Sequence, residues 1–293
     1  MKLSMYDEIT NQIISQLEQI NPLTDKWQKP WFNIGSAPMN AITKKSYRGI
    51  NHVILGFKPY SSKFYASYKQ WQERDCQVKQ GEKGHRIVFW NFTEDEKTGD
   101  TYAFLRHYNV FNSEQVTGKF VDNLQDTLNA KLNEHEAIAN AESFISSYLE
   151  AERIPVKDYD KAFYSPIADV IAMPKLGQFR DVHSYYSTFL HEAAHSTGHN
   201  SRLDRPLANP FGSKEYAKEE LVAEISAAML CGHLQLANKP RADHSQYIAS
   251  WLTILKSDKR FVISAAGKAQ KACDYIISKA EKPEIETQET LAA

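Results

Sequence analysis

Apolar residues recur at three- and four-residue steps from the start of the chain, where Ile9, Ile13, Leu17 and Ile20 share one face of SMYDEITNQIISQLEQI. That spacing predicts an amphipathic helix over residues 4–20, with Asp7 and Glu8 in the first turn, where the helix dipole favours carboxylates. Asn21-Pro22 ends it, and NPLTDKWQKPWFNIGSAPMN reads as an ordered loop anchored by Trp27 and Trp31. A short helix is expected near residues 67–76. The stretches GHRIVFWNF and TYAFLRHYNVFN flank the polar TEDEKTGD and predict a β-hairpin, so the first 120 or so residues read as a small α+β domain.

Helical periodicity returns over residues 129–152 through Ala137, Phe144, Ile145 and Leu149. The preceding GKFVDNLQD has linker composition and puts a domain boundary within residues 118–130. SPIADVIAMPK holds a short strand closed by Pro174. DVHSYYSTFLHEAAHSTGH, SKEYAKEELVAEISAAMLCGH and KSDKRFVISAAGKAQKACDYIISKA then all repeat with helix period. The expected fold class is therefore α+β: an N-terminal α+β domain over 1–125 and a mainly helical domain with a small sheet over 126–293. Internal repeats are not found.

Composition changes this picture little, but charge distribution changes it considerably. A chain of 293 residues with 42% hydrophobic and 24% charged residues is globular rather than disordered. Three scattered cysteines, Cys76, Cys231 and Cys273, suggest neither a disulfide framework nor a cysteine-ligated metal, and fit a reducing cytoplasm. No signal-peptide pattern and no long apolar run appear, so secretion and membrane spanning are not expected. The net charge of -1 hides a segregation. Residues 40–90 carry ten Lys or Arg against three Asp or Glu, whereas residues 91–150 carry four against eleven. The first block has the electrostatics of a polyanion binder.

Nine aromatics interleave with those ten cations: Tyr47, Phe57, Tyr60, Phe64, Tyr65, Tyr68, Trp71, Phe89 and Trp90. Cations neutralise phosphates and aromatic faces stack on unpaired bases, which together favour single-stranded nucleic acid. Lys44, Lys45, Arg48, Lys69, Lys79 and Lys83 are the expected backbone contacts, with Trp31, Tyr47 and Tyr68 as stacking residues. Gly81 and Gly84, around Glu82-Lys83, would let the main chain approach a phosphate. Phe64, Trp71, Phe89 and Trp90 sit in apolar runs and are expected in the core.

The second half carries HEAAH, residues 191–195, inside a segment already helical by its Tyr185, Phe189 and Ala193 repeat. His191 and His195 are four residues apart and leave one helix face a turn apart, the spacing two nitrogen ligands of a single zinc ion require. Glu192 then stands beside them as general base toward a water whose pKa the metal lowers to about 7. The longer pattern HExxHxxGxxH fails, because Ser201 occupies its last position and His199 comes two residues early. His199 reads as a helix-end histidine beyond the breaker Gly198, and Asp204 is a weaker candidate ligand. On the next helix, with Ser213 as N-cap, Glu220 and Glu224 share a face with Ala227. Glu220 is assigned as third ligand and Glu224 as the carboxylate that backs a ligand histidine, while Glu219 reads as surface decoration beside Lys214 and Lys218.

HEAAHSTGHNSRLDRP, FGSKEYAKEELVAEISAAMLCGHL and YIASWLTILKSDKRFVISAAGKAQKACDYI resemble the zincin-type metallopeptidase domain of ArdC-type antirestriction proteins, found also at the N-terminus of some plasmid primases. NPLTDKWQKPW, YRGIN, ASYKQWQERDCQVKQGEKGHRIVFW and YNVFNSEQVTG resemble that family's N-terminal single-stranded-DNA-binding domain. The resemblance implies a cytoplasmic protein of conjugative or other mobile DNA that binds incoming single strands and opposes host restriction. It further implies a gluzincin-like site holding Zn2+, or Mn2+ or another divalent metal, with Glu220 as third ligand, and a protein substrate or a component of a restriction system as a further partner. Where relatives often carry a bulky aromatic after the second histidine, this chain has Ser196, which bears on pocket shape. An oxyanion-stabilising residue is expected at Tyr216 or His233. The competing expectation is a DNA-binding protein whose metal only staples the fold.

Overall fold

The computed structural model describes residues 5–18, 37–56, 58–94, 101–129, 134–207, 209–210, 213–236 and 245–281. The opening periodicity forms helix α1 (Met5–Glu18), and the predicted tryptophan loop lies outside the described residues. Strand β1 (Met39–Asn40) leads to helix α2 (Ile50–Gly56), buried along its whole length. Strand β2 (Phe64–Ser67) runs into helix α3 (Tyr68–Gln72). There the Ser67 hydroxyl accepts from Gln70 N while Gln70 Oε1 accepts from Ser67 N, a reciprocal cap that fixes the start of the helix. After β3 (Gln77–Val78), the predicted hairpin forms as β4 (His85–Glu94) and β5 (Thr101–Asn112), in register from His85↔Val110 to Glu94↔Thr101.

β1, β2, β5 and β4 make one sheet in that order, parallel only between β1 and β2. β3 pairs antiparallel with β6 (Val116–Thr117). The linker expected around GKFVDNLQD is instead helix α4 (Lys119–Asn129), whose Val121 and Leu124 are buried with Trp71 and Phe64. Lys119, Asp122 and Asn123 lie on the solvent side of this short amphipathic helix, which looks like linker composition when periodicity is not followed across it.

Helix α5 (Glu134–Glu152) precedes a second sheet of β7 (Val156–Asp158), β8 (Phe163–Ser165) and β9 (Val170–Met173), in the order β7-β9-β8. Only β9 was foreseen, since β7 and β8 are too short for alternation to register. Helices α6 (Val182–Ser196), α7 (Lys214–His233), α8 (Ser245–Ser257) and α9 (Phe261–Ala280) complete the fold.

The largest core runs through both halves of the chain. Ile9 and Ile13 of α1, Val53 and Ile54 of α2 and Val88 of β4 join the same apolar cluster as Leu190, Leu221, Ile225, Trp251 and Ala265. Polar ties reinforce the junction: Thr10 Oγ1 donates to Lys259 O (2.6 Å), Gly49 N to Gln270 Oε1 (2.9 Å), and Arg48 pairs with Asp274.

Candidate metal centre and nucleic-acid interface

α6 starts where the Asp181 carboxylate accepts from Ser184 N (2.9 Å). It is buried from Tyr186 to Ala194, which is why the two histidines cannot simply face water. α7 starts at Ser213, whose hydroxyl accepts from Tyr216 N (3.1 Å), and it packs against α6. The i, i+4 spacing on α6 sets His191 Nε2 and His195 Nε2 3.1 Å apart, and the crossing brings Glu220 Oε2 to 3.5 Å from the first and Glu220 Oε1 to 3.4 Å from the second. Two imidazole nitrogens this close, capped by one carboxylate, need a shared cation, whether a proton or a metal. The three donor atoms lie within 4.8 Å of one another. A His2Glu set of this compactness suits a divalent ion of zinc type.

Outer contacts hold both imidazoles. Glu224 Oε1 lies 3.0 Å from His191 Nδ1. Glu219, expected on the surface, is instead largely buried: its Oε1 lies 3.4 Å from His195 Nδ1, and its carboxylate accepts Arg205 Nε and Nη2 (2.7–3.2 Å). The correction has a simple cause. The nearby Lys214 and Lys218 make Glu219 read as an exposed ion-pair partner, but Arg205, from the loop between the helices, occupies the space beside it. Arg205 is itself locked by Thr197 Oγ1 (2.7 Å) and Ala194 O (2.9 Å). Burial pushes the His195 pKa down, but Glu219 and Glu220 outweigh it and raise it to about 10. Burial acts to raise the Glu220 pKa, yet its two histidines hold it far below the usual carboxylate range.

A cavity of about 210 Å³ opens over this cluster, lined by His191, Glu192, His195, Glu219 and Glu220 on one side and by Phe163, Tyr164 and Tyr216 among others. Glu192 is buried and faces this space. Tyr216 lines the cavity, whereas His233 sits at the far end of α7 against Glu281 (2.7 Å) and the Phe144 ring. Ser196 does not line it: the hydroxyl is fully buried against Tyr148 OH (2.8 Å) and Ala193 O (2.7 Å). His199 lies beyond the end of α6 with Nδ1 on Ser201 Oγ (2.7 Å), and neither it nor Asp204 joins the cluster. α6 ends at Ser196, two residues before Gly198, where an added Cβ would come within 2.7 Å of Leu207 Cδ2.

The predicted nucleic-acid residues are more dispersed. Lys44, Lys45, Arg48, Lys69, Lys79 and Lys83 are exposed, but Arg48 is taken by Asp274, Lys69 pairs with Glu73 (3.9 Å), and Lys79 Nζ donates to Glu114 O (2.8 Å). Tyr47 must be corrected as a stacking residue: it is buried, edge-on to Tyr65, with its hydroxyl accepting from Asn40 Nδ2 (3.2 Å). Tyr68 is exposed, and Trp31 lies outside the described residues. At Gly84 a Cβ would meet Asn109 Cβ and Phe111 Cζ at 3.0 Å, so this position is closely packed. Phe64 and Trp71 are core as expected, but Phe89 is 43% exposed and packs edge-on to Tyr108, itself 47% exposed. Strand alternation puts Phe89 and Tyr108 on the same face as buried Ile87, so neither the period nor the apolar run signals the exposure of this pair. The Trp90 side chain and all of Phe57 lie outside the described residues.

Comparison with known proteins agrees with this geometry. Residues 4–111 match the N-terminal domain of anti-restriction factor ArdC, and residues 139–268 match a zincin-like metallopeptidase family. The metal-free crystal structure of the antirestriction ArdC protein from plasmid R388 is similar at a TM-score of 0.74 and 34% identity, over 95% of this chain and 98% of that one. This chain belongs to the ArdC antirestriction family. The Mn(II)-bound structure of R388 ArdC gives a TM-score of 0.73 at 36% identity, over 96% and 100% of the two chains. Protein y4eC of Sinorhizobium fredii is 38% identical over 93% of this chain and 91% of its own length. A DNA primase TraC of Escherichia coli is 35% identical over the whole of this chain, which spans 29% of the primase. His191, Glu192, His195, Glu219, Glu220 and Arg205 all fall in the segment of this chain that matches the zincin-like family, and the exposed cations of residues 44–83 fall in the N-terminal one. Among the described residues, no helix is long and apolar enough to cross a membrane.

Proposed function

We propose that this protein protects incoming mobile DNA from host restriction in the cytoplasm by binding single-stranded DNA through residues 1–125, and that residues 126–293 carry a mononuclear metal site of peptidase type. His191, His195 and Glu220 are the ligands, Glu224 and Glu219 orient the histidines, and zinc is the preferred ion with manganese an alternative. The observation that carries the catalytic reading is the cavity above a site with, among the described residues, three clustered protein donors. Structural zinc sites are closed by four ligands, whereas catalytic ones keep a position open. When bound, the metal supplies Lewis-acid polarisation of water and of a substrate carbonyl. Glu192 takes the proton from water as it attacks a peptide carbonyl and returns it to the leaving amine. Tyr216 faces the same cavity and is the group placed to donate to the developing oxyanion.

The test is metal analysis of purified protein together with Glu192→Ala in a plasmid-transfer assay against a restricting host. Expected are one divalent ion per chain in both proteins, an unchanged melting temperature, and loss of protection in the variant. Full protection by the variant would assign the metal to stabilising the fold.

A further inference from the structure

Lys44, Lys63 and Arg74 come from three separate places in the chain: the turn after β1, the loop before β2 and the end of α3. The fold gathers them around two rings. Lys44 Nζ lies 4.9 Å from the centre of Phe64 and 5.9 Å from that of Phe120; Lys63 Nζ lies 5.5 Å from Phe64, and the Arg74 guanidinium 5.4 Å from Phe120. Among the described residues, no carboxylate reaches ion-pairing distance of any of the three. In this they differ from Arg48, Lys69 and Lys79, which already have acceptors. Ring faces attract cations, but they neutralise no charge, so the mutual repulsion stays uncompensated. Its effect is visible on the two lysines. Burial first, and then Arg74, pulls the Lys44 pKa down, and burial followed by Lys44 does the same to Lys63.

We infer that Lys44, Lys63 and Arg74 form a binding site for the phosphodiester backbone of a single-stranded nucleic acid, with the rings of Phe64 and Phe120 holding the cations in place. The inference deepens the DNA-binding reading above and rests on it. Three features point to this ligand. Repelling cations held without a counter-ion are relieved by an anion that bridges them, and a chain of phosphates does so at successive positions. The guanidinium of Arg74 offers a bidentate fork to phosphate oxygens, while the two ammonium groups serve as point charges. Tyr68, on the same helix α3 that leads to Arg74, is 42% exposed and offers a face to a neighbouring base.

The test titrates a labelled oligothymidine with the full-length chain at a series of salt concentrations, comparing wild type, the double variant Lys63→Gln/Arg74→Gln and the charge-matched control Lys268→Gln/Lys271→Gln on the exposed face of α9. Wild type and control are expected to bind alike. The double variant should bind roughly tenfold more weakly at low salt, and its plot of log affinity against log salt should be shallower by about 1.4, from about 0.7 per lost single-strand phosphate contact. Unchanged melting temperatures verify that all three proteins are folded. Wild type that binds while the double variant keeps its affinity and slope would overturn this assignment alone. Wild type that fails to bind would overturn the DNA-binding reading and this site with it.

Discussion

Glu219 illustrates how much of the proposed metal site lies beyond its candidate ligands. A ligand imidazole can turn about its Cβ–Cγ bond and can carry its proton on either nitrogen, and both freedoms must be removed before Nε2 is useful. Here Glu219 and Glu224 approach the Nδ1 atoms of His195 and His191, and Arg205 keeps the Glu219 carboxylate in place. Glu219→Gln keeps the size of the side chain but removes its charge, so it should lower metal affinity about 10- to 100-fold with little change in fold. Competition with a chromogenic chelator measures this, and an affinity equal to wild type would show that His195 needs no carboxylate behind it. His191→Ala should be more severe, because it removes a proposed ligand and leaves Glu220 and Glu224 buried without the imidazole between them.

At the scale of elements, the site depends on how α6 begins as well as on what it carries. Asp181 is the N-cap, and its carboxylate accepts from Ser184 N and interacts favourably with the dipole of the helix that bears both histidines. Asp181→Ala should cost about 1 kcal/mol of stability, read as a lower urea midpoint at an unchanged slope. An unchanged midpoint would mean that packing of the buried face alone sets the start of α6. At the other end the loop after α6 is held by Arg202, whose guanidinium is buried between Glu152 (2.8 Å) and both oxygens of Asp169 (2.8–2.9 Å). Helix α5, the β8–β9 turn and the exit of α6 are thereby tied at one point.

The whole molecule is joined more tightly than a reading in two successive domains suggests. The two family matches stop at 111 and resume at 139, yet α1 and α2 bury their apolar faces against α8 and α9. A fragment starting at residue 126 would leave those faces open to water. The full chain should therefore melt in one transition, while the fragment melts lower by roughly 10 °C or more and binds a hydrophobic dye. A fragment as stable as the full chain would show that the shared core contributes little.

Periodicity and spacing were enough to identify α1, the β4–β5 hairpin and the helices of the metal site, because those signals repeat within a few residues along the chain. HEAAH placed two histidines on one face of α6 for the same local reason, and EELVAE placed Glu220 and Glu224 on one face of α7. Short strands such as β7 and β8 escaped because they span too few positions for a period to register, and α4 because its polar composition reads as a linker unless the helical period is followed across it. Burial of Tyr47, exposure of Phe89, the use of Glu219 and the meeting of Lys44, Lys63 and Arg74 are of another kind. Each depends on what a distant segment brings alongside: Tyr65, the open face of the hairpin, Arg205, Phe120. Local spacing determines which side chains leave an element together, but only packing between elements decides what they meet.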